Sequence, residues 1–310
     1  MFLNYLLLVL STCAASGKAI FCKLVGVSNK DKSFFLSNFK SFAVAFVLSL
    51  VFFANKLSGL FSISTFSILL SILFGLFVFF TQFMQILAMK TGSATLTTLI
   101  YSCGFLIPVF YSAIVFKEVI SVFQIIGIAI LLVAIFLIVY EKNQGKTSIK
   151  WFVLAMLAML GSGTIAIIQK THQLSDFSSE LPIFLVYAFL FCALFSLLGH
   201  LISCKFLKEK IQKTESIESE ISQEKAVGFK AWLKANYSAL ILGAIVAGLN
   251  FLNLLLSGKI PSVILFPVNN VGNLILTSVL SILIFKEKIK TRQTIGCIIG
   301  VCAILIVGLF

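Results

Sequence analysis

The sequence predicts an all-α integral membrane protein: ten transmembrane helices arranged as two inverted five-helix repeats. Three observations lead there. The charge content is far too low for a chain that folds in water, ten apolar runs have membrane-spanning length, and a charged motif recurs at a fixed distance. Of 310 residues, 60% are hydrophobic, 11% are charged and 33 are phenylalanine. Soluble domains carry about 25% charged residues, and a water-soluble fold of this size leaves more surface than so few charges can cover.

A helix crossing the hydrocarbon layer needs about 20 apolar residues. Ten stretches meet that length, near 3–25, 33–54, 63–89, 93–116, 121–140, 150–170, 181–204, 237–258, 261–285 and 291–309. Their continuity argues for helices, because barrel strands alternate every second residue. The first run resembles a secretory signal but lacks a basic start, and the symmetry described below needs it as a span. The connections are short except for Lys205 to Asn236, which holds seven lysines and five glutamates with Ile211, Ile217 and Ile221 between them. This charged segment, 205–236, reads either as an amphipathic helix on the membrane surface or as a solvated loop. Trp151 and Trp232 fall at span ends, where an aromatic belt is expected.

Self-comparison finds the repeat. Residues 114–139 align with 283–308 at an offset of 169, so that Phe116-Lys117-Glu118 meets Phe285-Lys286-Glu287. Gln124 then falls on Gln293, Gly127 on Gly296, Lys90 on Lys259 and Ser93 on Ser262. The first helices match through Ser16–Lys23 against Gly163–Lys170. The chain divides into 1–145 and 146–310, five spans each. An odd number of spans forces the two halves to cross the bilayer in opposite senses, the architecture of many secondary transporters.

The net charge of +13 comes from 24 basic and 11 acidic residues, and Arg292 is the one arginine. Phosphate recognition favours the arginine fork, so the excess reads as lysines beside anionic lipid headgroups and not as a nucleic-acid surface. The loops after spans 1, 3, 5, 7 and 9 hold eighteen basic residues, against Lys56, Lys117, Lys170 and Lys259 on the other side. By the positive-inside rule the odd-numbered loops are cytoplasmic and both termini lie outside. The seven scattered cysteines read as small reduced hydrophobes. No zinc spacing, phosphate-cradling loop or Ser/His/Asp set is present, so neither a metal, a cofactor nor an enzymatic activity is expected.

A proline in the fourth span (Pro108), Lys117-Glu118, Gln124 and Gly127, with Lys286-Glu287, Gln293 and Gly296 in the second half, resembles the EamA-type domain of the drug/metabolite transporter superfamily. The resemblance covers both halves. It implies a central cavity lined by spans 1–4 and 6–9, spans 5 and 10 at the periphery, and export or exchange of small metabolites such as amino acids. It also implies cytoplasmic termini, opposite to the charge count. Thr277 stands where the family proline would recur, with Pro267 ten residues earlier, and the first span lacks the tryptophan common before its glycine.

No carboxylate lies well inside a span, which argues against proton or sodium coupling through a buried Asp or Glu. The polar residues within spans are the candidate substrate site. Gln82 and Gln85 share a helical face on span 3, and Asn250 and Asn253 share one on span 8. Asn269, Asn270 and Asn273 follow Pro267 on span 9, a position where freed backbone carbonyls can line a cavity. Tyr101 aligns with Asn270, and Lys18 near an end of span 1 could bind a carboxylate or snorkel to the headgroups. Amides both donate and accept, which suits a zwitterionic or neutral polar solute; the competing role for each is interhelical bonding. His172 reads as a loop residue and His200 as interfacial or packed. Gly296-x-x-x-Gly300 could serve a homodimer. The expectation is a cell-membrane secondary transporter of a small polar metabolite. A membrane scaffold or, less favoured, a lipid-modifying enzyme are the alternatives.

Overall fold

The computed structural model describes residues 2–28, 34–59, 62–92, 94–139, 148–212, 229–285 and 291–309. Among the described residues all regular structure is helical. The helices are α1 (Phe2–Ser28), α2 (Phe34–Phe52), α3 (Thr65–Thr91), α4 (Ala94–Ser102), α5 (Leu106–Val115) and α6 (Val122–Val139). They continue with α7 (Ile149–Gln173), α8 (Leu181–Gln212), α9 (Phe229–Ser257), α10 (Ser262–Phe285) and α11 (Thr291–Leu309). Seven of them, α1, α2, α3, α7, α8, α9 and α10, are long and apolar enough to cross a membrane. Ile100–Val115, Val122–Ala134 and Thr294–Val307 are apolar but shorter. The bundle is therefore compatible with a multi-pass membrane protein.

Local chemistry sets the helix ends. The fourth apolar run is broken, because a 3-10 turn at Cys103–Phe105 separates α4 from α5. Pro108 has no N–H to give the Gly104 carbonyl, so the backbone tightens there. A methyl group on Gly104 would stand 2.9 Å from the Met159 carbonyl oxygen, and one on Gly163 would stand 3.1 Å from the Gly104 oxygen. The break thus crosses α7 at backbone contact, and only glycine fits. At the end of α5, Lys117 takes a left-handed φ of 53°. The N–H groups of Phe116 and Glu118 both donate to the Ser112 carbonyl, at 3.0 and 3.3 Å. This closes the helix as a C-terminal cap in which glycine is the usual residue. Next, Ser121 and Gln124 cap α6 reciprocally: Ser121 N–H donates to Gln124 Oε1 at 3.0 Å and Gln124 N–H to Ser121 Oγ at 3.1 Å. This is a capping box.

Two apolar cores result. One joins Phe42 of α2, Phe74 and Ile86 of α3, Phe184 and Phe189 of α8, and Leu242 of α9, with Cys22 and Val25 of α1. The other joins Leu8, Phe105, Val109, Leu131, Leu265 and Leu274, closed by Ala303 and Val307 of α11. The helices pack as α1 on α9 and α10, α3 on α7 and α8, α2 on α8 and α9, and α6 on α11. A methyl on Gly75 would meet the Ala188 carbonyl oxygen at 2.9 Å, and one on Gly243 would strike the Ser41 carbonyl. Small residues at both crossings let backbones approach where lipid supplies no hydrophobic drive between helices. Helices α6 and α11 turn Ile125, Ile126, Val133, Phe136, Ile298, Val301 and Leu305 outward.

Several expectations need correction. Trp151 is not an interfacial anchor: it is buried, and its indole N–H donates to Thr97 Oγ1 at 2.9 Å. That bond satisfies its polar edge inside the protein. His172 is not in a loop but buried in the last turn of α7. Lys170 is not a loop charge either, since its ammonium lies 2.6 Å from the Glu118 carboxylate. The charged segment 205–236 is shorter than expected, with α8 running to Gln212 and α9 starting at Phe229. Residues 213–228 lie outside the described residues, as do Lys286 and Glu287. Gly300 faces Ile275 of α10 and Ala134 of α6, so this end of the small-residue motif is used within the chain.

Candidate functional site

A polar cavity of about 80 Å³ lies between α1, α3, α4, α7, α9 and α10. One water occupies about 10–15 Å³ of such space, so there is room for a small solute. Helices α6 and α11 contribute nothing to its wall, and neither do α2 and α8. The larger void, about 110 Å³ between α2, α8 and α9, is lined by Phe52, Phe53, Phe189 and Phe251 and offers almost no group to orient a polar solute.

Seven of the sequence-selected residues line the polar cavity: Lys18, Tyr101, Asn250, Asn253, Asn269, Asn270 and Asn273. The arrangement starts at Asn253. Its Oδ1 accepts from Ser11 Oγ at 2.6 Å and from Asn269 Nδ2 at 2.7 Å, and the same Asn269 amide donates to Ser11 at 3.2 Å. Asn269 is 6% exposed, and its Oδ1 has no hydrogen-bond partner. Gln169 Nε2 donates to Asn250 Oδ1 at 3.4 Å, and Asn250 Nδ2 to its own helix at Val246 O, 2.9 Å away. On α10, Asn270 Nδ2 donates to Phe266 O at 2.9 Å, one residue before Pro267. Asn273 Oδ1 accepts from Thr277 Oγ1 at 3.0 Å. Ser102 and Ser16 donate to the backbone carbonyls of Asn270 and Asn273, at 2.9 and 3.3 Å, and so tie α4 and α1 to this helix. Lys18 Nζ lies 5.4 Å from the centre of the Tyr101 ring, within cation–π reach.

Gln82 and Gln85 are not part of this cavity. Gln82 Nε2 donates to Asn38 Oδ1 at 3.0 Å, and Gln85 Oε1 faces Cys22 Sγ at 4.0 Å, both in the buried core. Their shared face is real, but it meets α1 and α2 away from the cavity. Gln169, Ser11 and Ser162 were missed. Gln169 carried the same signal as the chosen amides, an intramembrane amide on a long apolar helix, one residue before the lysine taken to mark the loop.

Beyond the cavity, Glu118 caps α10 by accepting from Ser262 N–H at 2.9 Å, and Lys170 reaches both Glu118 and the Ile260 carbonyl, 3.4 Å away. Glu180 does the same for α3, accepting from the N–H and hydroxyl of Ser64, at 3.1 and 2.7 Å. Negative charge at a helix N-terminus is favourable. Ser67 Oγ lies 3.3 Å from His172 Nε2, which resembles a nucleophile and its base. The other ring nitrogen faces the Gln173 amide, 3.1 Å away, in place of a carboxylate, and the ring is fully buried against Phe184. No substrate reaches it, and the group serves as packing between α3 and α7.

No family model matches the chain. An uncharacterized protein of Haemophilus influenzae is 25% identical over 207 residues, covering 64% of this chain and 60% of that protein. The chain therefore spans less than two thirds of that relative's length. A protein solved by crystallography shares the fold over 96% of each chain, with a TM-score of 0.67 at 13% identity.

Proposed function

We propose that the chain is a cell-membrane secondary transporter of the drug/metabolite type, moving a small polar organic metabolite, an amino acid or a similar solute, by alternating access in export or exchange. The observation that carries this reading is the polar cavity itself: amides, a tyrosine and one lysine converge inside an apolar bundle whose other void is lined almost wholly by apolar side chains. Polar groups inside a membrane bundle are costly and mark solute paths.

The ten-span inverted repeat belongs to the same proposal. Gly75 and Gly243 stand 168 residues apart, and the carbonyls they approach, Ala188 and Ser41, stand 147 apart. These match, within one residue, the offsets of 169 and 147 that align the two halves. Exchanging the halves also turns the contact of α1 with α9 into that of α7 with α3, and leaves α2 on α8 and α6 on α11. Two halves that share one site between them can rock against each other to open it on either side.

Flux measured in proteoliposomes against a panel of amino acids, sugars, hydroxy acids and nucleobases tests the reading. At least one solute should move, and Asn269→Leu should slow it about tenfold or more, the effect of leaving buried polar partners unmatched. Gln85→Leu, outside the cavity, should leave flux per folded molecule unchanged. If no panel member moves, or if both variants transport like the parent, the proposal fails.

A further inference from the structure

Within the transporter reading, and resting on it, we infer that the cavity takes a solute of net charge −1: a carboxylate that sits against Lys18 and Tyr101, and beside it an O–H or N–H donor that meets Asn269 Oδ1.

The wall carries one charged side chain, the ammonium of Lys18, and among its lining residues there is no aspartate or glutamate. Lys170 and Glu118, outside the lining, are matched to each other, and Glu118 already holds the first N–H of α10. The pair has no charge to lend the cavity. Lys18 is held over the Tyr101 ring, so the cation is oriented by an aromatic face without being neutralised by a counter-charge. An anion is the group that cancels it, and in a membrane interior an uncancelled charge is expensive. A zwitterion would leave the site as positive as before, because its own ammonium would stay unmatched in a wall without carboxylates.

The second half of the recognition comes from Asn269. Its Nδ2 is committed to Asn253 and Ser11, which fixes the amide's orientation and leaves Oδ1 as a buried acceptor without a donor. A buried acceptor left unmatched costs free energy, and Asn269 is among the residues that line the cavity. A 2-hydroxy monocarboxylate carries both complements at adjacent carbons.

Four solutes of nearly one shape separate the alternatives: lactate (−1), alanine (zwitterion), propane-1,2-diol (uncharged) and 1-aminopropan-2-ol (+1). Thermal unfolding of the purified full chain in detergent reads binding by mass action. Lactate at about ten times its Kd should raise Tm by about 3 °C, and the other three by less than a third of that. Lys18→Met should weaken the lactate response at least tenfold, and Lys18→Arg should keep it. Asn269→Asp should lose lactate and gain alanine, whose carboxylate meets Lys18 and whose ammonium meets the new carboxylate, an inversion that misfolding does not produce. The inference is overturned if alanine, the diol or the amino alcohol stabilises as well as lactate, if Lys18→Met responds normally, or if none of the four shifts Tm. In each of those cases flux of a neutral, zwitterionic or cationic solute in proteoliposomes leaves the transporter reading standing, whereas the absence of any flux removes both.

Discussion

Lys170 and Glu118 show how a single residue's setting changes its meaning. Side-chain exposures of 5% and 19% make this a pair largely removed from water. Removing one member of such a pair strands the other, so Lys170→Met should destabilise the protein by about 3–5 kcal/mol. The double variant Glu118→Gln with Lys170→Met should recover most of that loss, because the glutamine amide still accepts from Ser262 N–H and no bare charge remains. Denaturant unfolding of the purified protein measures both; a double variant no better than the single would sink the argument. Lys117, one residue before, holds its left-handed φ at a steric cost. Lys117→Gly should therefore gain about 0.5–1 kcal/mol in the same measurement. At this scale the sequence showed residue types but not neighbours. Gln82 and Asn250 look alike as intramembrane amides, yet one faces Asn38 and the other Gln169. Helical spacing says which residues share a face, and is silent about what the face meets. Trp151 and His172 were misread for the related reason that a polar atom near a span end has two outlets, water or a buried partner, and here both residues found partners.

The helices themselves were legible because membrane-length apolar runs leave few alternatives, and seven of the expected spans fall on helices long and apolar enough to cross a membrane. What was lost were interruptions and extensions. Pro108 gave a local sign of the α4–α5 break, but the close approach of Gly104 to the α7 backbone is contained in no local pattern. The Gln-x-x-Gly pattern now has a physical account in the first half. Gln124 closes the capping box of α6, and Gly127 makes room for Val307 of α11. Ser121→Ala should cost about 1 kcal/mol by loss of the cap. The glycines of α9 provide a paired test. Gly248 has open space where a methyl would go, whereas Gly243 abuts the Ser41 backbone. Gly248→Ala should gain about 0.5–1 kcal/mol from helix propensity, and Gly243→Ala should lose about 1–3 kcal/mol by forcing α2 and α9 apart. Equal effects of the two on Tm would contradict the packing described.

For the whole molecule, apolar composition made the class of fold readable, since a chain this poor in charge has one solvent to choose. The doubled Phe-Lys-Glu suggested the division into halves. Under the proposed repeat, the contacts of Gly75 and Gly243 would be counterparts in space, which a one-dimensional alignment lacks. The candidate site was partly readable for the same economy: a membrane interior tolerates few polar groups, and the amides Gln169, Asn250, Asn253, Asn269, Asn270 and Asn273 line the polar cavity. Gln82 and Gln85, the two selected residues outside it, face Asn38 and Cys22 instead.

The cavity wall has a further property. Its polar groups are amides, hydroxyls, a phenol and one ammonium, and none of the side chains lining it is His, Asp, Glu or Cys. Those four are the types that exchange protons at or near the pH of living compartments. The wall thus brings one charge, from Lys18, and no imidazole, carboxylate or thiol. Under the proposed transport function, every acidic group in the occupied site is one that the solute itself brings.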